Sequence, residues 1–397
     1  MDMEYDVCIV GGLGHVGLPL GLCFADAGLK VVAYELNTDA IRDVSCGKVP
    51  FVEQGAQELL QRVLNLKFFV SSDKEVISKS KYVIVVIGTP MDEYLTPKYK
   101  LFIEFFDEIM PFLRNGQHVI LRSTVYPGTT ENMKNYLKKK GKNVKITFCP
   151  ERIAEGKAIE ELHALPQLIG AFDDASFDDA RRLFSVLTCE TIRLSPMESE
   201  LAKLFTNSWR YIMFSIANQF YQLSTAQGID FYKVYDAITH HYPRAAAFPK
   251  AGFAAGPCLF KDTMQLSAFS NNHFFIGHAA MLINEGMPNF IVAQLKSRYN
   301  LAAKTVGILG MSFKADIDDK RESLSYKLKK LLHVEAENVL CSDVYIKDPG
   351  FVSTDEMLAK SDIVILSTPH KEYRSLVFPS KVDVIDIWNY LDPKTPS

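Results

Sequence analysis

Cys258 is the residue whose type and setting most favour covalent chemistry. It ends the segment GFAAGPC (252–258), whose small residues let a ligand approach the backbone closely. Pro257 suits the first turn of a helix, which would place Cys258 near a helix N-terminus, where the nucleophilic thiolate is favoured. Asp262 would then lie one turn further on, on the same face. The alternative is an inert core cysteine, and local chemistry leaves both interpretations open.

A second group of polar residues could work with such a thiol. Lys203 and Asn207 lie four residues apart in a predicted helix and share a face, and Arg210 follows three residues later. Glu151 comes directly after a predicted strand and has the chemistry of a general base. A cysteine, a lysine and a carboxylate together suit oxidation of an aldehyde through a thioester. The alternatives are a solvated charged helix face and a surface carboxylate.

The glycine-rich turn after the first predicted strand indicates a dinucleotide. In GGLGHVG (11–17), Gly12, Gly14 and Gly17 satisfy the G-x-G-x-x-G spacing, with His15 and Val16 inside the turn. These glycines permit a tight turn, close approach of a pyrophosphate, and packing of helix on strand. The second strand ends at Glu35, where a carboxylate would bind a ribose 2′-hydroxyl and repel a 2′-phosphate. The pattern therefore predicts NAD rather than NADP.

Threonines follow two later strands of the same predicted sheet. Thr89 lies in Gly88-Thr89-Pro90 and Thr124 in Ser123-Thr124. Ligands of open parallel sheets bind beyond the carboxyl ends of the strands, so both threonines are placed to meet cofactor or substrate. Ordinary turn chemistry is the alternative for each.

Composition and charge limit the partners and the location. The net charge is −3 among 397 residues, so no nucleic-acid partner is expected. The strongest apolar run, VIVVI (83–87), has strand length and is too short to span a bilayer. The seven cysteines are scattered, odd in number and without metal-ligand spacing. We therefore expect a cytoplasmic protein with no disulfide framework, no metal site and no membrane association.

The order of predicted elements indicates an α/β fold in three domains. Strands alternate with helices in the first third, as in a parallel sheet covered by helices. An uninterrupted helical pattern then runs from about Ser195 to Gly228, and strand–helix alternation returns in the last hundred residues. We predict two Rossmann-like doubly wound parallel-sheet domains joined by a long central helix within a helical dimerisation region. The domain bounds are 1–195 for the NAD-binding domain, 196–297 for the central domain with the cysteine segment, and 298–397 for the C-terminal domain. The long helix either joins two copies of the chain or only bridges two domains.

Seven ordered motifs resemble the UDP-glucose/GDP-mannose dehydrogenase family nearly end to end. They are GGLGHVGLPL (11–20), VIGTP (86–90), STVYPGTT (123–130), CPERIAEGKA (149–158), ELAKLFTNSWR (200–210), GPCLFKDT (256–263) and SFKADIDDKRES (312–323). The resemblance implies a homodimer or larger homo-oligomer joined through the central helix, and a C-terminal domain that binds the uridine diphosphate.

The resemblance also implies roles for residues where the motifs match. The catalytic set is Cys258 as nucleophile, Lys203 as the oxyanion-stabilising group, Asp262 and Asn207 as its polar partners, and Thr124 and Glu151 as residues that position or activate water. The implied substrate contacts are Arg152, Glu155, Lys203, Asn207, Arg210, Arg244, Phe253, Gly256 and Lys314. The implied cofactor contacts are the glycine turn, Glu35, the two threonines and Arg321.

The implied reaction is a four-electron oxidation of C6 of a UDP-sugar through a Cys258 thiohemiacetal and thioester. The segment Pro150-Glu151-Arg152 resembles the branch that acts on UDP-N-acetylhexosamines, which favours UDP-GlcNAc or UDP-ManNAc, with UDP-glucose as the alternative. Pro257 and Phe260 depart from that branch. Two rival hypotheses are a two-electron hydroxy-acid dehydrogenase, which needs no cysteine, and an inactive sensor of NAD or sugar nucleotides, which would carry a damaged site.

Overall fold

The structure is a computed structural model that describes residues 3–88 and 98–391. The chain divides into two compact units, Met1–Thr206 and Asn207–Ser397. The three-domain division expected from the sequence stays a prediction. Within the described residues, no helix is both long and apolar enough to cross a membrane.

The first unit alternates strands and helices around one large sheet. Its elements are β1 (Tyr5–Val10), α1 (Gly17–Asp26), β2 (Val31–Tyr34), α2 (Thr38–Ser45), α3 (Ala56–Val63), β3 (Phe68–Ser71), α4 (Glu75–Ser78), β4 (Ser80–Val85), α5 (Tyr99–Ile109), β5 (His118–Leu121), α6 (Thr129–Lys139), β6 (Lys145–Phe148), α7 (Ala158–Ala164), β7 (Gln167–Ala171), α8 (Asp174–Phe184) and β8 (Thr191–Leu194). Among the described residues the sheet has eight strands in the order β3-β2-β1-β4-β5-β6-β7-β8.

Apolar cores on both faces of this sheet explain the strand sequences. Along β1, Val7 and Ile9 pack into one core and Cys8 and Val10 into the other. A strand covered on both faces carries a continuous apolar run, as parallel sheets require. The carboxyl ends of β1, β2, β4, β5 and β6 thus lie at one edge, where ligands bind in such sheets.

The second unit has a smaller parallel sheet and several helices. Its elements are α10 (Phe231–Thr239), α11 (Leu259–Phe269), α12 (Phe275–Arg298), β9 (Thr305–Leu309), α13 (Leu324–Glu335), β10 (Asn338–Ser342), α14 (Thr354–Lys360), β11 (Ile363–Leu366) and β12 (Asp383–Asp386). The described strands pair in the order β10-β9-β11-β12, all parallel.

The long helix α9 spans Pro196–Ala226, so the boundary between the units falls within it. Its start has a reciprocal capping box. Ser195 donates its backbone N–H to Glu198 Oε2 at 2.7 Å, and Glu198 N–H donates to Ser195 Oγ at 3.3 Å. The helix stops just before Gly228, as the sequence predicts.

The predicted α/β class, the two parallel-sheet regions and the long helix are confirmed. Three details differ from the sequence-based expectation. β3 was not predicted, and β7 pairs antiparallel with β6, whereas the sequence pattern indicated a parallel sheet. Pro257 lies before α11 rather than in its first turn, because the first intrahelical acceptor is the carbonyl of Cys258, which takes the Asp262 N–H at 2.9 Å.

Candidate active site

The glycine turn has the packing that a bound dinucleotide requires. A Cβ on Gly12 would lie 2.7 Å from Cβ of Ala33, and one on Gly17 would lie 2.5 Å from the carbonyl oxygen of Gly11. These two glycines let helix α1 pack tightly against the sheet. A Cβ on Gly14, by contrast, would meet no atom within 4 Å. Gly14 thus faces open space, where a pyrophosphate can approach the backbone.

His15 and Val16, which lie between Gly14 and Gly17, have different surroundings. Val16 is the N-cap of α1 and makes no side-chain capping bond, so the first N–H groups of the helix are not capped by its side chain. His15 is half-buried, and its ring centroid lies 4.1 Å from that of Phe51. Its Nδ1 lies 4.0 Å from Oε2 of Glu155, a predicted substrate contact.

The carboxylate of Glu35 lies at the mouth of the glycine turn. Its Oε2 accepts the N–H of Leu13 at 3.3 Å, and its Oε1 accepts those of Leu36 at 2.8 Å and Asn37 at 3.1 Å. These bonds fix an anionic group beside the turn, where a ribose diol would hydrogen-bond to it and a 2′-phosphate would be repelled. The described residues therefore fit NAD.

Replacing Glu35 by glutamine is expected to raise the KM for NAD about 10- to 100-fold. A hydrogen bond to a charged group contributes roughly 1.5–3 kcal/mol, and each 1.4 kcal/mol is tenfold. The KM for NADP is expected to stay level or fall, since the repulsion is removed. Initial rates with both cofactors measure the two values. Asp39→Asn, an exposed acid on the neighbouring helix α2, is the matched control, and equal KM changes for both cofactors would contradict the assignment.

Glu151 is held by a buried arginine that the sequence did not single out. Arg122 is 2% exposed, and both its Nε (2.9 Å) and its Nη2 donate to Glu151 Oε2. Glu151 Oε1 accepts the N–H groups of Arg152 at 2.7 Å and Ile153 at 3.1 Å. Each carboxylate oxygen thus accepts two hydrogen bonds, which satisfies its usual capacity. This geometry gives Glu151 a fixed orientation and a stabilised negative charge.

Two other predicted residues near these strand ends are half-buried. Thr124 is half-buried in the segment after β5. Arg152 is also half-buried, and its Nη2 donates to the carbonyl oxygen of Pro166, which leaves other guanidinium donors available. Thr89 lies outside the described residues.

Lys203 is a buried cation on the second turn of α9. Its side chain is 8% exposed, and its Nζ has neither a hydrogen bond nor an ion pair among the described residues. One turn earlier, buried Glu200 accepts the N–H of Gly128 at 2.6 Å and the N–H of Thr130 at 2.8 Å at the start of α6. These bonds fix the first turns of α9. The residue is buried but its Nζ retains access to solvent, so its N–H donors are available to a ligand oxygen.

Cys258 lies at the N-cap of α11 in the second unit, and its side chain is exposed. Asp262, one turn later, is fully buried, and its Oδ2 accepts a hydrogen bond from Nδ2 of Asn207 at 2.6 Å. Its Oδ1 has no hydrogen-bond partner among the described residues, although Lys261 Nζ lies 3.8 Å away. The structure thus joins Asp262 to Asn207 by a hydrogen bond, one helical turn from Cys258, and Asn207 lies one turn after Lys203 on α9.

Burial separates Cys258 from the cysteines of the core. Desolvation raises the pKa of Cys149 to about 12 and that of Cys341 to about 11, so these thiols are protonated and unreactive at neutral pH. Of the three exposed cysteines, Cys258 is the one at a helix N-terminus, because Cys46 follows α2 and Cys189 precedes β8. A helix N-terminus favours the thiolate form of a cysteine.

The remaining predicted contacts of the second unit are spread over several segments. Phe253 and Gly256 are buried in the cysteine segment, and Lys314 is half-buried after β9. A cleft of about 500 Å³ opens beside this segment and is lined by Ala255, Gly256, Phe260, Glu285, Lys320, Glu322, Ser323, Leu324, Tyr326, Lys327 and Lys330.

The three arginines of this unit that were predicted to contact a ligand are exposed. Arg244 is exposed in a short 3₁₀ turn (Pro243–Ala245), and its Nε donates to the Tyr242 hydroxyl at 2.7 Å. Arg321 donates from Nε to both oxygens of Asp319, at 3.0 and 2.8 Å. Arg210 is exposed on α9.

Two buried asparagines of the second unit were missed by the sequence-based reasoning. Asn218 Nδ2 donates to Asn284 Oδ1 at 2.9 Å, and Asn218 Oδ1 accepts the N–H of Gly252 at 2.8 Å. They tie α9, α12 and the cysteine segment together. A polar residue on an otherwise apolar helix face was the signal available in the sequence.

Sequence profiles of one family match most of the chain. The UDP-glucose/GDP-mannose dehydrogenase family matches with its NAD binding domain over residues 5–188, its central domain over 197–285 and its UDP binding domain over 307–393. The first profile contains the glycine turn and Glu35, and the second contains Cys258 and Asp262.

Curated and solved relatives agree with these matches. The UDP-N-acetyl-D-mannosamine dehydrogenase of Methanocaldococcus jannaschii is 27% identical over 375 residues, covering 93% of this chain and 86% of the relative. The enzyme of the same name from Campylobacter jejuni is 27% identical over 399 residues, covering 94% and 97%. The solved UDP-D-ManNAc dehydrogenase of Pyrococcus horikoshii has a TM-score of 0.90 at 25% identity, over 98% of this chain and 97% of that one. The chain therefore belongs to the UDP-glucose/GDP-mannose dehydrogenase family and is an NAD-dependent UDP-sugar dehydrogenase.

Proposed function

We propose that the chain oxidises the C6 hydroxyl of UDP-N-acetyl-D-mannosamine, or of the closely similar UDP-N-acetylglucosamine, to a carboxylate through a covalent intermediate on Cys258. The observation that carries this proposal is the group formed by exposed Cys258 at the start of α11, buried Asp262 one turn later, and Asn207 bonded to that carboxylate. A two-electron dehydrogenase has no use for a nucleophile in this setting.

The glycine turn and Glu35 would hold NAD, which would supply the hydride acceptor for each of the two successive oxidations of C6. After the first, the thiolate of Cys258 adds to the aldehyde carbon and forms a thiohemiacetal. The second oxidation leaves a thioester. Water then attacks the thioester carbonyl, the carbon–sulfur bond breaks, and the carboxylate leaves with the thiol restored.

Three polar residues have proposed roles in stabilising charge and activating water. Lys203 carries an ammonium that would stabilise the alkoxide and tetrahedral oxyanions formed at C6. Asp262 has an oxygen without a hydrogen-bond partner among the described residues, so it has the capacity to accept a proton from water. Glu151, whose oxygens each accept two hydrogen bonds, fits a positioning and electrostatic role better than that of a base.

The sugar assignment is supported by the relatives and by Arg152. All three relatives described above are named for UDP-N-acetyl-D-mannosamine. Arg152 retains guanidinium donors beyond its bond to Pro166, and these suit an acyl or phosphate oxygen. The UDP-glucose alternative differs at C2, where it has a hydroxyl in place of the acetamido group.

A panel of sugar nucleotides tests this proposal directly. UDP-ManNAc, UDP-GlcNAc, UDP-glucose, UDP-galactose and GDP-mannose are each supplied with NAD, and NADH formation is followed by absorbance. We expect kcat/KM to be highest for UDP-ManNAc or UDP-GlcNAc. A clear preference for UDP-glucose would overturn the sugar assignment but not the mechanism, whereas binding without any NADH would revive the sensor hypothesis.

We also propose a homodimer or larger homo-oligomer that forms in the cytoplasm and contacts its copies through α9. Exposed apolar side chains recur along one face of this helix at Trp209, Ile216, Phe220 and Leu223. The cytoplasmic location is supported by the seven cysteines, all described, none of which forms a disulfide.

Placing a charge on this face is expected to separate the copies. Trp209→Glu should shift the sedimentation velocity profile from a dimer or larger species toward the monomer, because an unpaired carboxylate would be desolvated at the interface. Leu66→Glu, at an exposed apolar residue of the first unit, is the matched control. A wild-type chain that sediments as a monomer would contradict the proposal.

A further inference from the structure

The segment that leads to Cys258 is fastened at its start to the residues that follow β12. Lys250 Nζ donates to the carbonyl oxygen of Asn389 at 2.8 Å. The hydroxyl of Tyr232, on α10, donates to the carbonyl oxygen of Ile387 at 2.5 Å and lies 3.4 Å from that of Ala251. Both contacts link the approach to the cysteine with the end of the smaller sheet, within the second unit.

Gly252 lies between a buried asparagine and a tryptophan. Its N–H donates to Oδ1 of Asn218 at 2.8 Å, and a Cβ added to it would overlap the indole ring of Trp388. The ring is itself fixed, because Trp388 Nε1 donates to the carbonyl oxygen of Ser367 at 3.0 Å. The backbone at Gly252 therefore has little freedom to move toward or away from the smaller sheet.

A second ring holds the other end of the segment. A Cβ on Gly256 would lie 2.5 Å from Cδ2 of Phe313, and the Gly256 N–H lies 3.3 Å from the carbonyl oxygen of Glu322. Gly256 is two residues before Cys258. The segment between these glycines thus runs from one aromatic contact to another before it reaches the start of α11.

We propose that Trp388 is a positioning residue for Cys258, which it reaches through Gly252 and the segment 252–258. Trp388 lies in the part of the chain that matches the UDP binding domain, so the sulfur is placed partly by the domain that holds the nucleotide. This inference rests on the proposed nucleophilic role of Cys258 and adds a residue to that site. A misplacement of about 1 Å at a reacting atom costs on the order of 100-fold in rate.

The test compares Trp388→Ala with Trp388→Phe and with a core control. Trp388→Ala removes the ring over Gly252, whereas Trp388→Phe keeps a smaller aromatic ring there and loses the bond to Ser367 and part of the indole. Phe378→Ala removes a buried ring from the apolar cluster that Trp388 also contacts, without touching the cysteine segment. All three are checked by thermal melting and by NAD binding.

Two readouts separate positioning from stability. The first is kcat and KM for the best UDP-sugar, and the second is the rate at which iodoacetamide alkylates Cys258 without substrate, followed on the peptide that carries it. We expect Trp388→Ala to lower kcat about 10- to 100-fold with KM within threefold, and to change the alkylation rate at least threefold. Trp388→Phe and Phe378→Ala should stay within threefold of the wild type in both.

Two outcomes would overturn the proposal. One is a Trp388→Ala protein that melts lower, as Phe378→Ala does, but keeps its kcat and alkylation rate. The other is a rise in KM alone, which would make Trp388 a nucleotide contact only. The alkylation rate does not depend on what Cys258 does in the reaction, so a failure of the proposed covalent mechanism is recognised separately from a failure of this inference.

Discussion

Replacing Cys258 by serine is expected to reduce steady-state NADH formation on the order of 10⁴-fold or more. The hydroxyl is far less nucleophilic than a thiolate at a helix N-terminus, so the aldehyde formed by the first oxidation is not converted to a covalent intermediate. Rapid mixing with excess NAD and UDP-sugar should therefore show a burst of one NADH per active site, whereas the wild type turns over continuously and forms two NADH per sugar. The measurement is a stopped-flow absorbance trace at known enzyme concentration.

Matched controls for this change are available in the chain. Cys46 and Cys189 are also exposed, so Cys46→Ser and Cys189→Ser should turn over at the wild-type rate. If the Cys258→Ser protein kept full turnover with two NADH per sugar, the covalent mechanism would be wrong and a hydroxy-acid-type dehydrogenase would be favoured.

Replacing Lys203 by methionine is expected to lower kcat about 10²–10³-fold, which is the usual loss when one oxyanion-stabilising donor is removed. Methionine keeps much of the length and the apolar stem of lysine but has no ammonium. The KM for the UDP-sugar should change much less than kcat, since the charge acts mainly on oxyanions that form during the reaction. Steady-state kinetics over a range of UDP-sugar concentrations separate the two parameters.

Stability and charge controls accompany this variant. Because the Lys203 ammonium makes no hydrogen bond or ion pair among the described residues, Lys203→Met should melt at about the temperature of the wild type. Lys233→Met, at an exposed lysine of α10, should change neither kcat nor the melting temperature. A loss confined to KM would make Lys203 a simple binding residue and contradict its role in the chemical steps.

The sequence predicted the elements whose signals are local. The apolar run of β1 followed by three spaced glycines defined the dinucleotide turn, and the uninterrupted pattern before Gly228 defined α9. β3 (Phe68–Ser71), a strand at the edge of the sheet, was missed. The antiparallel β6–β7 pair was also missed, since strand direction depends on the connection between strands rather than on their composition.

The sequence predicted the site residues whose type and spacing alone indicate a chemical role. Cys258, Asp262 and Asn207 were named from type and spacing, and the structure joins Asn207 to Asp262 one helical turn from Cys258. The sequence does not show which residues that are distant along the chain are buried against each other. Arg122 and Glu151 are 29 residues apart, and their pairing follows from two adjacent strand ends. The contact of Trp388 with Gly252 joins segments that no periodicity relates.

A buried cluster in the first unit illustrates the same limit. Asp179 accepts hydrogen bonds from Tyr82 (2.9 Å) and Lys145 (3.1 Å) and lies 3.1 Å from Nδ1 of His118. These bonds, that of His118 above all, hold the pKa of Asp179 below its usual value, while burial lowers the pKa of His118. None of these residues was expected to interact, because the polar positions lie on different strands and a helix.

The count of NADH per sugar tests the central claim of a four-electron oxidation most directly. A limiting, known amount of UDP-ManNAc is incubated to completion with the wild-type chain and excess NAD, and the NADH formed is measured by absorbance while the product is identified by mass spectrometry. The proposed mechanism predicts two NADH per UDP-ManNAc consumed and a UDP-linked uronate. One NADH per sugar, with an aldehyde or ketone as the accumulated product, would contradict it.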